Sequence, residues 1–301
     1  MTKIKYIHCF GTSHTAGGGF EFESTHPDRV SMVKKYYSDV DNPNTQFNFS
    51  YPGQLQKFVG KDIKVFNHAK QGCGNDRMYR IAYDLITDNH FKREENIFLF
   101  EFSGIGRTEF YLNSINDFIT INYQHKINEK GDLTKDGVDL IGLSHSYFYE
   151  TEEFLDYVKE NNKFYENIVK NFINYDTEST KIFRESEFFI SYLEKCKINF
   201  YYTTPPIVWP EFEDETKHIV FGDGIYFKKN NNILQFSFEN NLTIRDETHN
   251  QYEDDHNSFK SNKLVAHILY NKIVTDYFND IQVEEIDWEW YKKINFVEYG
   301  K

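Results

Sequence analysis

The alternation of short apolar runs with helical periodicity constrains this chain most. Four strand-like runs stand out, at residues 4–10, 62–67, 96–103 and 198–204. Each is only a few residues long and bounded by turn-forming residues. Between Asp76 and Thr87, the residues Met78, Ile81, Ala82, Leu85 and Ile86 fall on one side, the pattern of a helix packed on a sheet. Residues 151–195 read as two or three helices, with Phe154, Leu155, Val158, Phe164, Ile168, Val169 and Phe172 spaced near three and four. Towards the other end Leu264, Val265, Ile268, Leu269 and Ile273 recur at helical spacing. They predict a helix of about four or five turns beginning near Ser258 or Ser261. Strands alternating with helices predict an α/β fold with a parallel sheet covered on both faces. Right-handed crossovers then bring every strand's carboxyl end to one edge.

The residues just past each strand therefore matter. The first run, Ile4 to Phe10, stops at Gly11-Thr12-Ser13, and Gly17-Gly18-Gly19 comes shortly after. Gly11 lets the chain turn sharply, having no Cβ to obstruct it. Ser13 then stands past a strand's carboxyl end, where open α/β sheets hold ligands, and is a candidate nucleophile. Taken alone, Gly-Thr-Ser is more often a capping serine at a strand–loop junction. The far end of the chain shifts the balance. Glu253-Asp254-Asp255-His256 occupies the loop before the last helix. Histidine is the usual general base for a serine nucleophile, and a nearby carboxylate orients its ring and stabilises the imidazolium.

These blocks resemble the SGNH (GDSL-like) hydrolase family. Gly11-Thr12-Ser13 takes the place of its Gly-Asp-Ser block. Asn67-His68-Ala69-Lys70-Gln71-Gly72 matches the second block, whose last glycine offers a backbone N–H to an oxyanion. Asp254 with His256, or Glu253 with His256, fits the final block. The third block departs: the family's asparagine is absent, and Ser103 stands there, ahead of Arg107 and Glu109. Divergent members, many of them phage or virus encoded, carry Ser or Thr followed by Arg-x-Glu and a second block like Gly72-Cys73-Gly74-Asn75-Asp76-Arg77. The resemblance covers about a fifth of the chain, its four blocks in the right order. It implies a three-layer α/β/α sandwich of flavodoxin-like type, one domain over 1–301 with insertions at about 105–150 and 207–250. It also implies a Ser13–His256–Asp254 triad with Glu253 as the alternative acid. The oxyanion donors would be the N–H groups of Ser13 and Gly72, helped by Ser103 or Asn75. His14, Arg107 and Glu109 are candidate substrate contacts, and Arg107 with Glu109 reads equally as a structural ion pair.

The activity implied is hydrolysis of a small ester, such as an acetyl group on a carbohydrate, with no cofactor and no metal. Two other classes remain open: a non-catalytic glycan-binding or virion module, and an acyl or sulfuryl transferase on the same fold. No Gly-x-Ser-x-Gly elbow or Walker loop is present, and His8, His14, His68 and His90 lack the helical pairing of zinc ligands. A net charge of −13 argues against nucleic acid as a partner. With 301 residues, 39% of them hydrophobic, the chain can bury a full core, yet it has no run of eighteen apolar residues. The first twenty residues lack a signal-peptide pattern. Cys9, Cys73 and Cys196 are too few and scattered for a disulfide framework or zinc site. The expectation is a cytoplasmic protein, or one of a host cytoplasm or virion if phage encoded. The composition does not give an oligomeric state. The aromatic tail from Ile286 to Tyr291 is expected to dock on the body or on another subunit.

Overall fold

The computed structural model describes residues 4–17, 47–48, 50–70, 72–103, 107–113, 117–122, 139–142, 175–203, 243–246, 251–257 and 259–278, with parts of 160–171 and 283–287. In chain order the principal elements are β1 (Tyr6–Phe10), α1 (Ser13–Ala16), α2 (Tyr51–Val59), β2 (Lys64–Asn67), α3 (Asn75–Thr87) and β3 (Asn96–Glu101). Next come β4 (Arg107–Leu112), β5 (Asp117–Asn122), β6 (Asp139–Gly142), α4 (Tyr175–Lys195), β7 (Asn199–Thr203), β8 (Thr243–Asp246), β9 (Gln251–Asn257) and α5 (Phe259–Tyr277).

A wholly parallel sheet runs in the order β2-β1-β3-β7, each strand falling within one of the apolar runs read from the sequence. Successive side chains in a strand point to opposite faces, so both faces can be followed residue by residue. Ile7, Cys9, Val65, Ile97, Leu99 and Tyr201 pack with Tyr51 and Leu55 of α2 and with Leu264, Val265, Leu269 and Ile273 of α5. The residues between them, Phe10, Phe98, Phe100, Phe200 and Tyr202, pack with Met78 and Ala82 of α3 and with Ile182, Phe189 and Leu193 of α4. That makes an α/β fold with helices on both faces. It also explains why β3 is apolar nearly throughout: a strand covered on two sides has no solvent face to mark. The second face is aromatic, with Phe10 stacked on Phe100 at 4.7 Å and Phe189 meeting Phe100 edge-on at 5.3 Å.

The connection order fixes where a ligand would sit. From β1 the chain crosses to β2 on one side, then to β3 on the other. Such a reversal opens a crevice outside the carboxyl ends of the two strands that flank it. Phe10 pairs with Phe100, and Ser13 and Ser103 each stand three residues beyond that pair.

The segment read as a polar insertion at 105–150 carries an antiparallel sheet, β4-β5-β6. It docks on α3. Arg80 of α3 forks Glu109 of β4 at 2.8 and 2.9 Å while its guanidinium lies 3.9 Å over the Phe118 ring. The Glu109 N–H donates to Asp76 Oδ2 at 2.9 Å. Gly74 has to be small here, because a Cβ would stand 2.8 Å from the Arg107 carbonyl oxygen. Of the second expected insertion, 207–250, only β8 is described. The loop expected before the last helix is instead a strand, β9, paired antiparallel with β8. α5 starts at Phe259, inside the expected window. From the tail, Ile286 packs against the α2–α5 face of the core; Trp288 and Trp290 lie outside the described residues. No helix among the described residues is long and apolar enough to cross a membrane.

Candidate active site at the carboxyl edge of the sheet

Beyond β1 the chain turns at Gly11 and Thr12, and α1 opens on Ser13, which is half-buried. Gly11 is required by crowding. A Cβ there would come within 2.5 Å of Thr15 Cβ and 2.8 Å of Glu101 Oε2. Four residues make a helix with little hydrogen bonding of its own, and the Ala16 N–H to Thr12 carbonyl bond, 2.8 Å, closes its one turn. Gly17 then leaves the helix at φ 83°, a left-handed conformation that glycine adopts freely. The His14 side chain, Gly18 and Gly19 lie outside the described residues.

Side chains from three other elements hold this turn by one residue, Thr15, which is fully buried. Glu101, at the end of β3 and itself buried, accepts the Thr15 N–H at Oε2, 2.9 Å away, and the same oxygen accepts the Thr15 hydroxyl proton. Thr15 Oγ1 lies 3.2 Å from the Tyr51 hydroxyl of α2. The one hydroxyl proton of Thr15 is committed to the carboxylate, so Tyr51 supplies the proton of this bond. Burial pushes the Tyr51 phenol well above its usual range, which keeps that proton in place. Asn67, last residue of β2, donates from Nδ2 to the Thr15 carbonyl at 3.0 Å.

The loop after β2 is built with similar care. Asn67 Oδ1 accepts the Ala69 N–H at 3.1 Å, and Arg77 of α3 donates to the His68 carbonyl. Gly72 is half-exposed at φ 74°, so only a glycine fits without strain. Arg107 reaches the Cys73 carbonyl and Ser103 Oγ, each at 3.3 Å. Asn75 brackets the backbone of Ser103: its Oδ1 accepts the Ser103 N–H at 2.6 Å and its Nδ2 donates to the Ser103 carbonyl at 3.2 Å. Both residues are buried. Asn75 thus ties α3 to the end of β3, and one of its two amide protons is committed to that tie.

β9 brings the remaining candidates. Its backbone comes within 8 Å of α1, measured Cα to Cα, and α5 follows it directly. Thr243 pairs with Asn257 and Arg245 with Tyr252, so a step of two on β8 meets a step of five on β9. Glu253, Asp254 and His256 therefore lie in a bulge. Alternation of side chains does not carry through it, and bulges are a common means of re-aiming residues beside active sites. The side chains of these three residues lie outside what is described.

One cluster that runs from His68, just after β2, back along β1 to the amino end of β3 was not read from the sequence as a unit. His8 of β1 and His68 stand with Nδ1 and Nε2 2.9 Å apart, and His8 Nε2 is 2.9 Å from Asn96 Oδ1. Asn96 Nδ2 donates to the Lys92 carbonyl at 2.7 Å, which fixes its Oδ1 towards His8. His8 must then donate from Nε2, accept at Nδ1, and receive its proton from His68 Nε2. Burial pushes His8 down to about 4, against a smaller upward pull from Asn96. Burial, with the nearby His8 and Arg77, pushes His68 down to about 3. Both rings are packed among Phe10 and Phe66. Cys9 and Cys73 are buried, and burial raises both thiols, so neither offers a thiolate.

No family model, curated protein or solved structure matches this chain. Three residues at this edge escaped the sequence reading: Thr15, Glu101 and Asn67 in its holding role. Glu101 carries the one available signal, a carboxylate directly after the apolar run Ile97 to Phe100. Thr15 carries none.

Proposed function

We propose that this chain is a serine hydrolase of SGNH type acting on a small ester. The observation that carries the reading is placement. The turn bearing Ser13 opens at the carboxyl end of β1, at the point of strand-order reversal, and its backbone neighbours the strand bearing Asp254 and His256. In this reading His256 takes the Ser13 Oγ proton as Oγ attacks the ester carbonyl. The tetrahedral oxyanion receives hydrogen bonds from the N–H groups of Ser13 and Gly72. His256 then protonates the departing alcohol, and water releases the acyl group from Ser13 by the reverse proton movements. Asp254 orients His256. An acetyl group on a carbohydrate is the simplest substrate. Each oxyanion donor is worth about 3 kcal/mol of barrier where such donors have been removed.

One observation favours the second reading, a non-catalytic module that binds glycan or builds a virion. The hydroxyl of Ser103 accepts from Arg107, and the Asn75 amide is tied to the Ser103 backbone. Both side chains are engaged in holding the loop, Ser103 as an acceptor and Asn75 through its oxygen and one of its two amide protons. A fluorophosphonate probe separates the two. The expected result is labelling of Ser13, lost in Ser13→Ala together with hydrolysis of a short p-nitrophenyl ester. Unlabelled wild-type protein, inactive across a broad acyl panel, would favour the binding module.

A further inference from the structure

We propose that Glu101 is the positioning residue for the Ser13 turn, acting through Thr15. This rests on the hydrolase reading for its catalytic consequence but not for its structural one. Three observations converge. First, α1 is too short to hold itself, with four residues and few backbone bonds of its own. Second, the residue two beyond Ser13 is gripped at every polar atom. Glu101 takes its N–H and its hydroxyl proton, Tyr51 lies against its Oγ1, and Asn67 takes its carbonyl. Those grips come from β3, α2 and β2, so the turn is referenced to the sheet rather than to its own helix. Third, the space is fitted: Gly11 is pressed against Thr15 and the Glu101 carboxylate, with no room for a Cβ.

The chemistry explains why a carboxylate stands there. A short helix exposes orphan N–H donors at its start, and the third of them is ordinarily met by the capping side chain. Here that donor is Thr15 N–H, and it is met from another strand. A single carboxyl oxygen, Oε2, accepts both Thr15 protons, so one side chain fixes the backbone and the side chain of this residue together. The Ser13 Oγ trajectory then inherits the rigidity of β3, and catalysis is sensitive to displacements of about 1 Å at such a group.

The experiment compares Glu101→Gln, Glu101→Ala, Thr15→Val and Thr15→Ser with the wild-type chain. Its first readout is amide exchange of the peptide covering residues 11–17, referenced to the peptide of β3 and to the urea midpoint. Glu101→Ala is expected to speed exchange in 11–17 by at least about tenfold while β3 stays protected. Glu101→Gln keeps an acceptor for the Thr15 N–H and is expected to stay within a few fold. The second readout is ester turnover. Glu101→Ala and Thr15→Val are expected to lower kcat by about ten- to a hundredfold with KM changed less than about threefold. Thr15→Ser, which restores the hydroxyl, is expected to recover most of kcat. Unchanged exchange in 11–17 for a folded Glu101→Ala or Thr15→Val protein would overturn the proposal, as would losses of KM rather than kcat. Where Glu101→Ala does not fold, Thr15→Val against Thr15→Ser decides. If wild-type protein hydrolyses nothing, the hydrolase reading falls, and the exchange readout still judges the positioning role.

Discussion

At the scale of single residues, the proposed hydrolase mechanism turns on which carboxylate would serve His256. Read as an extended loop, the segment favours Asp254, because residues two apart share a side and the shorter carboxylate need not fold across its neighbour. The bulge in β9 removes the first half of that argument, since Glu253 to His256 fall where β8 and β9 lose register. The second half stands and gives a ranking. Asp254→Asn is expected to lower kcat by several orders of magnitude, about 10⁴-fold where a triad aspartate holds the histidine tautomer. Glu253→Gln is expected to change it little. The reverse ranking, measured by steady-state kinetics on the same ester, would give the role to Glu253. Two mild effects would mean a Ser13–His256 dyad. Ser13 is a candidate in the sequence because it follows an apolar run at a turn, and Gly72 is one only through the family resemblance. Thr15 is not, because its role depends on three elements that are distant in sequence and meet only in the fold.

At the scale of elements, legibility in the sequence depended on how each element is held. The four parallel strands and the helices α3 and α5 were visible because each buries a continuous apolar set with a period of its own. α2 was missed. Its stretch, Tyr51-Pro52-Gly53-Gln54-Leu55, opens with residues that read as a turn, although Ser50 caps the helix and Pro52 sits in its first turn where proline is tolerated. β4, β5 and β6 fall in a segment read as polar, although β5 buries Ile119 and Ile121. Contacts from Arg80 and Asp76 of α3 to Glu109 of β4 add to that burial. The side chains of Arg80 and Glu109 are 30% and 4% exposed, so the pair is half out of water and survives solvent screening better than a surface bridge. Glu109→Ala is expected to cost about 1–3 kcal/mol, since it leaves a partly desolvated guanidinium without its fork. The loss is read as a lower urea midpoint at constant slope. Arg80→Ala combined with Glu109→Ala is expected to cost less than the two single losses added. Strict additivity would show that the fork does not hold β4 to α3.

At the scale of the whole molecule, the buried histidine pair ties stability to pH in a direction set by its depressed values. Unfolded, each ring titrates near 6.5. Folded, His8 titrates at about 4 and His68 at about 3. Between those limits the unfolded chain holds more protons than the folded one, so stability rises with pH. The contribution is complete above about pH 6.5 and is lost progressively as pH falls towards 4 and below. For His8 alone the whole loss is roughly 3 kcal/mol, from the shift between its two states. Part of the His68 shift is repulsion from His8, so the two losses are not independent. Most carboxylates stay ionised above pH 5, which isolates the histidines in the upper part of the window. Urea unfolding at pH 7, 6 and 5 is therefore expected to show a drop of about 2 kcal/mol or more by pH 5. His68→Gln is the informative variant: its amide can still donate to His8 Nδ1 but does not titrate. Its pH slope is expected to be roughly half that of the wild type, while a flat wild-type profile would mean that the rings are not buried neutral. Since His8 sits in β1 and His68 just after β2, this titration reports on the same strand pair that carries Ser13 and Gly72. Acid would then loosen the strands beneath the candidate site as well as protonate the general base proposed for it. A pH–rate profile that falls in step with unfolding, rather than ahead of it, would assign the acid limb to the fold and not to His256.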